Sequence, residues 1–458
     1  MTIRTLPDEA LLEVFHFYVH DIFLRPEVWI PLAHVCRRWR YIVFASPLRL
    51  NLSLNCKGSK PAREMLDTWP RLPIVISDYY CSEEGADNII AALEHNDRVC
   101  GIDISIKEEV SSSVLGRFAG AIQEPFPKLT DLTLRSVNET TLVVPETFLG
   151  GSAPRLRSCQ VDYIPFPALR KLLLSASHLV HLRLEKIPHS VCISPEAMVT
   201  CLSAATNLES LVLGFQSPRP RPDHATQSPP PLMRTIIPAL TYFRFHGVSE
   251  YLEDFISRFD APLLHVVNIR LFHQLAFDAL QLHQFISRTE TFSALTMANV
   301  DFEDGHTSVE ISSQVPAHSR RTLRLSMRCD ASDWQLSFLA RAFSSLSPTL
   351  STLETLTVRK VGLQPLRPGW EDDMENDQWL ELFDQLTSVK SLYLSKQFVP
   401  LVAPALQQLE SVTDVLPGLQ NLYLEGHEPS ESVQEGIGQF IAARQCFSYP
   451  VIVEPWHR

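Results

Sequence analysis

From Val99 onward the chain repeats a spacing in which one apolar residue is followed by others three and five positions later. Val99 leads Ile102 and Ile104, and the spacing returns from Leu129, Leu156, Leu179, Leu208, Leu240 and Leu264. Further copies start at Phe292 (Leu295, Met297), Arg320 (Leu323, Leu325), Leu353, Val389 and Leu419. The ten steps from Leu129 to Leu419 run from 23 to 36 residues and average 29. The last two positions of each copy alternate with other residues, a period of two that puts both on one side of a strand. Helix signals fall between copies. Ser194, Pro195 and Glu196 offer a cap, a first-turn proline and an acid ahead of Met198, Val199 and Leu202. Ser249 precedes Leu252, Phe255, Ile256 and Phe259, and Gln378-Trp379-Leu380 leads into Phe383 and Leu386. The first 45 residues read differently, as three short helices. Leu11, Phe15, Tyr18 and Val19 form one apolar stripe; Pro31 opens a helix with Leu32, Val35 and Cys36; Trp39, Ile42 and Val43 mark a third.

A strand and a helix every 29 residues resembles a leucine-rich repeat, whose parallel strands stack on the concave face under helices on the convex face. The expected fold class is therefore α/β: a three-helix segment over residues 1–46, then an irregular solenoid of about 12–14 repeats over 47–458. Weaker copies at Pro47 (Leu50, Leu52) and Trp69 (Leu72, Ile74) extend the array backwards. Tyr449 to Val453 supplies a last edge strand, closed by Pro455 and Trp456. The asparagine or cysteine usual three residues past the strand tip is replaced by Val137, Ile187, Val248, Val300 and Val361.

The N-terminal residues carry a second resemblance. Leu6-Pro7, Leu11-Leu12-Glu13-Val14-Phe15 and Val35-Cys36-Arg37-Arg38-Trp39-Arg40 stand in the order of the F-box, the adaptor-binding motif of substrate receptors in cullin–RING ubiquitin ligases. With Phe17-Tyr18-Val19 and Ser46-Pro47-Leu48-Arg49-Leu50, the segment 6–54 is similar to the F-box proteins expanded in mushroom-forming fungi. The stretch His16 to Val28 is longer than in the compact form. The resemblance implies a Skp-type adaptor and a cullin–RING ligase as partners, with Leu6, Pro7, Leu11, Leu12, Phe15, Leu32, Val35 and Trp39 as adaptor-binding residues. Some of these must form the segment's own core, because so small a unit needs one. The other reading is a helical cap on a repeat protein that binds no adaptor.

Composition narrows the function. Apolar residues make up 45% and charged residues 20% of the chain, ordinary for a folded protein. No run approaches the ~18 uninterrupted apolar residues of a membrane span. The N-terminus lacks the basic-then-apolar order of a signal peptide. The nine cysteines form no Cys-x-x-Cys pair, which predicts reduced thiols and a cytoplasmic or nuclear location. A net charge of −12 opposes general nucleic-acid binding. There is no Gly-x-Ser-x-Gly, no glycine-rich phosphate loop and no His-Glu-x-x-His, and no cofactor or metal is called for. The expectation is a non-catalytic surface that binds an unidentified protein.

Two segments break the rhythm. Residues 217–232 hold Pro218, Pro220, Pro222 and Pro229 to Pro231, an extended loop that is either a tolerated insertion or a docking segment. Residues 363–378 hold Glu371, Asp372, Asp373, Glu375 and Asp377, a solvated acidic loop without calcium-loop spacing. On the strands, residues flanking the apolar pair face the other side of the sheet. They include Arg135, Arg183, Arg244, Arg270, Arg324 and Arg359, with His181 and His246, against Asp103, Asp131, Asp162 and Glu185. Guanidinium forks bind carboxylates and phosphates, so these arginines are candidate target-binding residues for an acidic or phosphorylated segment or a polyanion. The plain reading is solubility, each arginine pairing with an acid of the next repeat.

Overall fold

The computed structural model describes residues 6–20, 30–45, 52–56, 61–68, 71, 73–81, 83–106, 111–136, 143–217, 233–272, 279–303, 305–314, 321–328, 332–362, 376–407, 415–426 and 431–456. Most of the proline-rich segment (218–232) and most of the acidic segment (363–375) lie outside them. The chain divides into two compact units, Met1–Leu208 and Glu209–Arg458.

The first unit begins with helices α1 (Asp8–His20), α2 (Ile30–Val35) and α3 (Arg37–Ala45). Strands β1 (Leu52–Asn55), β2 (Ile74–Cys81), β3 (Val99–Ile106), β4 (Asp131–Ser136), β5 (Ser158–Asp162) and β6 (His181–Ile187) then pair in parallel and in chain order. The register explains the order. Ile102, Leu132, Cys159 and Leu182 form one row across β3 to β6, and Ile104, Leu134, Val161 and Leu184 the next, all buried. The leading residues Leu129, Leu156 and Leu179 are buried beneath them. Burying one such side chain contributes ~1.5–3 kcal/mol, so each copy gains by stacking on the last. Main-chain amides complete the step. The Thr130 carbonyl accepts from the N–H groups of Arg157 and Ser158, and the Arg157 carbonyl from those of Val180 and His181. The helix predicted after Ser194 is Pro195–Leu202, where the Ser194 hydroxyl accepts from the Ala197 amide at 3.1 Å.

The second unit contains β7 (Ser210–Phe215), the short parallel pair β8 (Thr235–Ile236) and β10 (Phe259–Asp260), β9 (Tyr242–Gly247) and β11 (Val266–Leu271). Then follow β12 (Met297–Glu303), β13 (His306–Ser312), β14 (Thr322–Arg328), β15 (Thr355–Lys360), β16 (Ser391–Leu394), β17 (Asn421–Glu425) and β18 (Ile452–Trp456). The same main-chain link recurs: Glu209, Thr241, Glu354 and Lys390 each offer one carbonyl to two amides of a following strand. Most neighbours are parallel, but β13 runs antiparallel between β12 and β14, and the order there is β11, β14, β13, β12, β15. The chain passes over two strand positions to lay down β12, then fills them backwards.

The copy read from Phe292 is one phase out. Leu295 leads it, and Ala298, Val300 and Phe302 are its buried strand residues, while Met297 is only half-buried. The last strand starts at Ile452 rather than Tyr449 and includes Pro455 and Trp456.

Candidate functional site

The N-terminal helices are tied together at one corner. Pro7 precedes α1, and its carbonyl accepts from the Leu11 amide at 3.1 Å. Asp8, in the first turn, takes two bonds from Arg38 of α3, at 2.9 Å from Nε and 2.6 Å from Nη2. The same Nη2 donates to the Leu6 carbonyl. Arg38 thus fastens the start of α1 to α3. Cys36 Sγ accepts from the Trp39 amide at 3.4 Å, and Arg40 Nε donates to the Ala33 carbonyl of α2 at 2.9 Å. The Phe15 and Trp39 rings meet at 4.7 Å.

Burial sorts the predicted adaptor-binding residues. Leu11, Phe15 and Leu32 lie inside, with Ala33, Ile42 and Val43. Leu6, Leu12 and Trp39 are half-buried, while Pro7 and Val35 are exposed. Three further apolar side chains project into water: Val14 at 49%, Phe17 at 74% and Tyr41 at 70% exposure. Sequence reasoning passed over Val14 and Phe17 because α1 is apolar on more than one side, and over Tyr41 of α3 because its stripe was read from Trp39, Ile42 and Val43. The signal was there: Val14 and Phe17 lie off the stripe that Leu11 and Phe15 define.

The polar sheet faces hold the predicted arginines. In the first unit Arg135 stands 3.4 Å from Asp103 on the next strand, and Arg183 lies 2.7 Å from Glu185 on its own. Burial raises the Asp162 carboxyl, although Lys186, Arg183 and Arg135 oppose the rise. In the second unit Arg359 of β15 faces Asp301 of β12 in register and donates to it from Nε at 2.5 Å and Nη2 at 3.4 Å. That hydrogen bond raises the Arg359 guanidinium further. Arg324 faces Glu310 in register at 3.9 Å and donates to Ser308 Oγ at 3.2 Å. Arg244 shares its register row with Asn268, and Arg270 is exposed one strand from Ser326. His306 is pushed down to about 4, first by burial and then by Arg270 and Arg324. Arg135, Arg183, Arg324 and Arg359 therefore each stand beside a carboxylate, and the structure brings Arg270 and Arg324 into the field of one histidine.

Burial raises the Cys100 thiol to about 11, with Asp131 adding to it, and raises Cys159 to about 12. Among the described residues no three His, Cys, Asp or Glu side chains gather as a metal site, and no helix is long and apolar enough to cross a membrane.

Comparison with known families bears on the first surface. A family model described as F-box-like matches residues 3–54, which cover α1, α2, α3 and most of β1. The chain therefore carries an F-box-like segment followed by α/β units with mostly parallel sheets. No curated protein matches the chain.

Proposed function

We propose that this chain is the substrate-receptor subunit of an SCF-type cullin–RING ubiquitin ligase. The F-box-like match over residues 3–54 is the observation that carries the reading. In it, the N-terminal helices dock a Skp-type adaptor. Exposed Pro7 and Val35, with Val14, Phe17 and Tyr41, supply the apolar contact, while buried Leu11, Phe15 and Leu32 hold those residues in place. The strand–helix copies act as a leucine-rich-repeat solenoid of the fungal F-box type and hold a target protein. Holding it near the ubiquitin-charged enzyme raises the effective concentration of its lysines. The chain itself performs no chemistry and works in the cytoplasm or nucleus. The polar faces meet the target, with Arg135, Arg183, Arg244, Arg270, Arg324 and Arg359 turned to an acidic or phosphorylated segment.

The test is co-purification with adaptor and cullin. Pro7→Ala together with Val35→Ala removes two exposed anchors without opening the core. Loss of such anchors costs ~2–4 kcal/mol, a roughly 30- to 800-fold drop in adaptor affinity. Unchanged capture by a folded variant sinks the assignment and leaves a non-ligase interaction scaffold. Arg244→Glu with Arg324→Glu weakens binding of a polyglutamate probe and flattens its salt dependence, with adaptor binding unaltered.

A further inference from the structure

The last strands of the second unit carry a cluster that the arginine reading leaves unused. Tyr393 of β16 and Tyr423 of β17 share one register row, and their rings stack with centroids 4.2 Å apart and 7° between planes. Trp456 of β18 meets Tyr393 nearly edge-on, at 5.5 Å and 74°. Leu392, Leu394 and Leu422 flank these tyrosines in sequence and are buried on the other side of the sheet. The three aromatic rings are thus half-buried on the polar side. Glu454 of β18 is the register partner of Tyr423 and is exposed. Burial, the neighbouring Tyr423, a hydrogen bond to it and the charge of Glu454 all push the Tyr393 hydroxyl up. Glu425, on the same side of β17, accepts the Lys396 amide at 3.3 Å.

The nearby positions Thr355, Thr357, Ser391 and Asn421 on this side of the sheet are small and polar. Aromatic faces are negative, and so is a carboxylate beside them; the two favour the same guest. A guanidinium stacks on the rings and forks to the carboxylate with one planar group. An acidic guest is repelled here. It is drawn instead to β9, β11 and β14, where Arg244, Arg270 and Arg324 stand.

We propose that Tyr393, Tyr423, Trp456 and Glu454 form a docking site for an arginine side chain of a protein partner. For the identity of that partner as a ligase target, the inference rests on the receptor reading; its chemistry stands apart from it. The sheet sets the spacing of the guest. The row from Arg324 runs through Glu310, Asn299, Thr357 and Tyr393 to Tyr423. Those strand-to-strand steps span ~24 Å, or roughly seven residues of extended chain between an acidic group and the arginine.

The test is fluorescence anisotropy of the full chain with a labelled octapeptide of alternating arginine and glycine, beside lysine and citrulline counterparts. Tyr423→Leu and Trp456→Leu, neither of which changes charge, each weaken the arginine peptide about 2- to 30-fold, and Tyr423→Phe keeps most of the binding. Citrulline binds weakly throughout, and thermal melts confirm that the variants fold. Glu454→Gln weakens the arginine peptide more than Glu124→Gln, an exposed acid of the other unit. Equal binding by wild type and Tyr423→Leu, or a lysine peptide as tight as the arginine one, overturns the site and leaves only attraction to the net charge of −12. Adaptor capture is measured on the same variants. Aromatic-dependent peptide binding in a chain that captures no adaptor retains the site and removes the receptor reading alone.

Discussion

Arg444 is the most consequential buried charge of the second unit. It lies in the helix Glu431–Cys446 with no exposed surface and donates to the carbonyls of Leu416 at 3.2 Å, Pro417 at 3.2 Å and Leu419 at 3.1 Å. Those carbonyls belong to the turn that delivers β17. The turn needs holding, because Leu416 sits at φ +47, a left-handed conformation that a branched side chain disfavours. Burial pulls the guanidinium down from its ordinary value, yet it is held between the Phe440 and Tyr449 rings at 5.8 and 5.7 Å. Arg444→Met fills the volume but removes three hydrogen bonds, and among the described residues only the Leu416 carbonyl keeps a second donor, the Leu419 amide at 3.0 Å. A bond to a charged donor contributes ~1.5–3 kcal/mol, and the relief of burying a charge offsets part of the loss. The expected net cost is ~3–5 kcal/mol. For a unit of about 250 residues that lowers Tm by roughly 6–20 °C. Arg444→Lys keeps the charge without the fork and falls between. Arg170→Met, at an exposed site, moves stability by less than ~0.5 kcal/mol. The assay is a thermal melt followed by near-ultraviolet circular dichroism. An Arg444→Met protein melting within ~2 °C of wild type refutes the idea that this guanidinium holds the turn.

His306 makes stability pH-dependent. Arg328 of β14 and Glu303 of β12 are its register partners, and the charges of Arg270 on β11 and Arg324 on β14 act on it. Because its folded value lies near 4 against 6.5 when unfolded, the unfolded chain takes up the proton first, and stability drops as pH falls from 6.5 toward 4. His306→Gln flattens that limb, which urea midpoints at pH 7 and 5 measure directly. Leu392→Ala, at a fully buried strand position, costs ~2–5 kcal/mol, read from the shift in the urea midpoint. Ser194→Ala removes the cap on Pro195–Leu202 and costs ~1 kcal/mol in the same assay; no change there means the cap is idle.

Much of the fold was legible because each strand repeats one requirement. Leu129, Leu132 and Leu134 must all be buried, and the same spacing recurs at most of the parallel strands from β3 onward. What escaped was the reversal at β13. Its strand has no leading apolar residue three positions ahead, since it enters from a two-residue turn and not from a helix. The register pair Glu303 and His306 closes that turn, Gly305 has φ +68, and Asp304-Gly305 is a hairpin signal standing in plain sequence. The N-terminal site was legible as a motif and not as a surface. Leu11 and Val35 look alike in the chain, and only packing against α3 sends one inward and leaves the other in water. The pairing of Arg359 with Asp301 was equally hidden, because the two stand 58 positions apart and meet only through the displaced order of strands.

That displaced order has a consequence during synthesis. The edge of β11 that will receive β14 stays open while the 50 residues between Leu271 and Thr322 emerge, ~3–10 s at the pace of a ribosome. Through that interval a nascent chain offers a row of unpaired amides and carbonyls over apolar Val267 and Ile269, the kind of edge that recruits another copy. The hairpin of β13 and β14 is therefore a closing piece whose late arrival sets the moment at which the edge of β11 stops being able to pair with strangers.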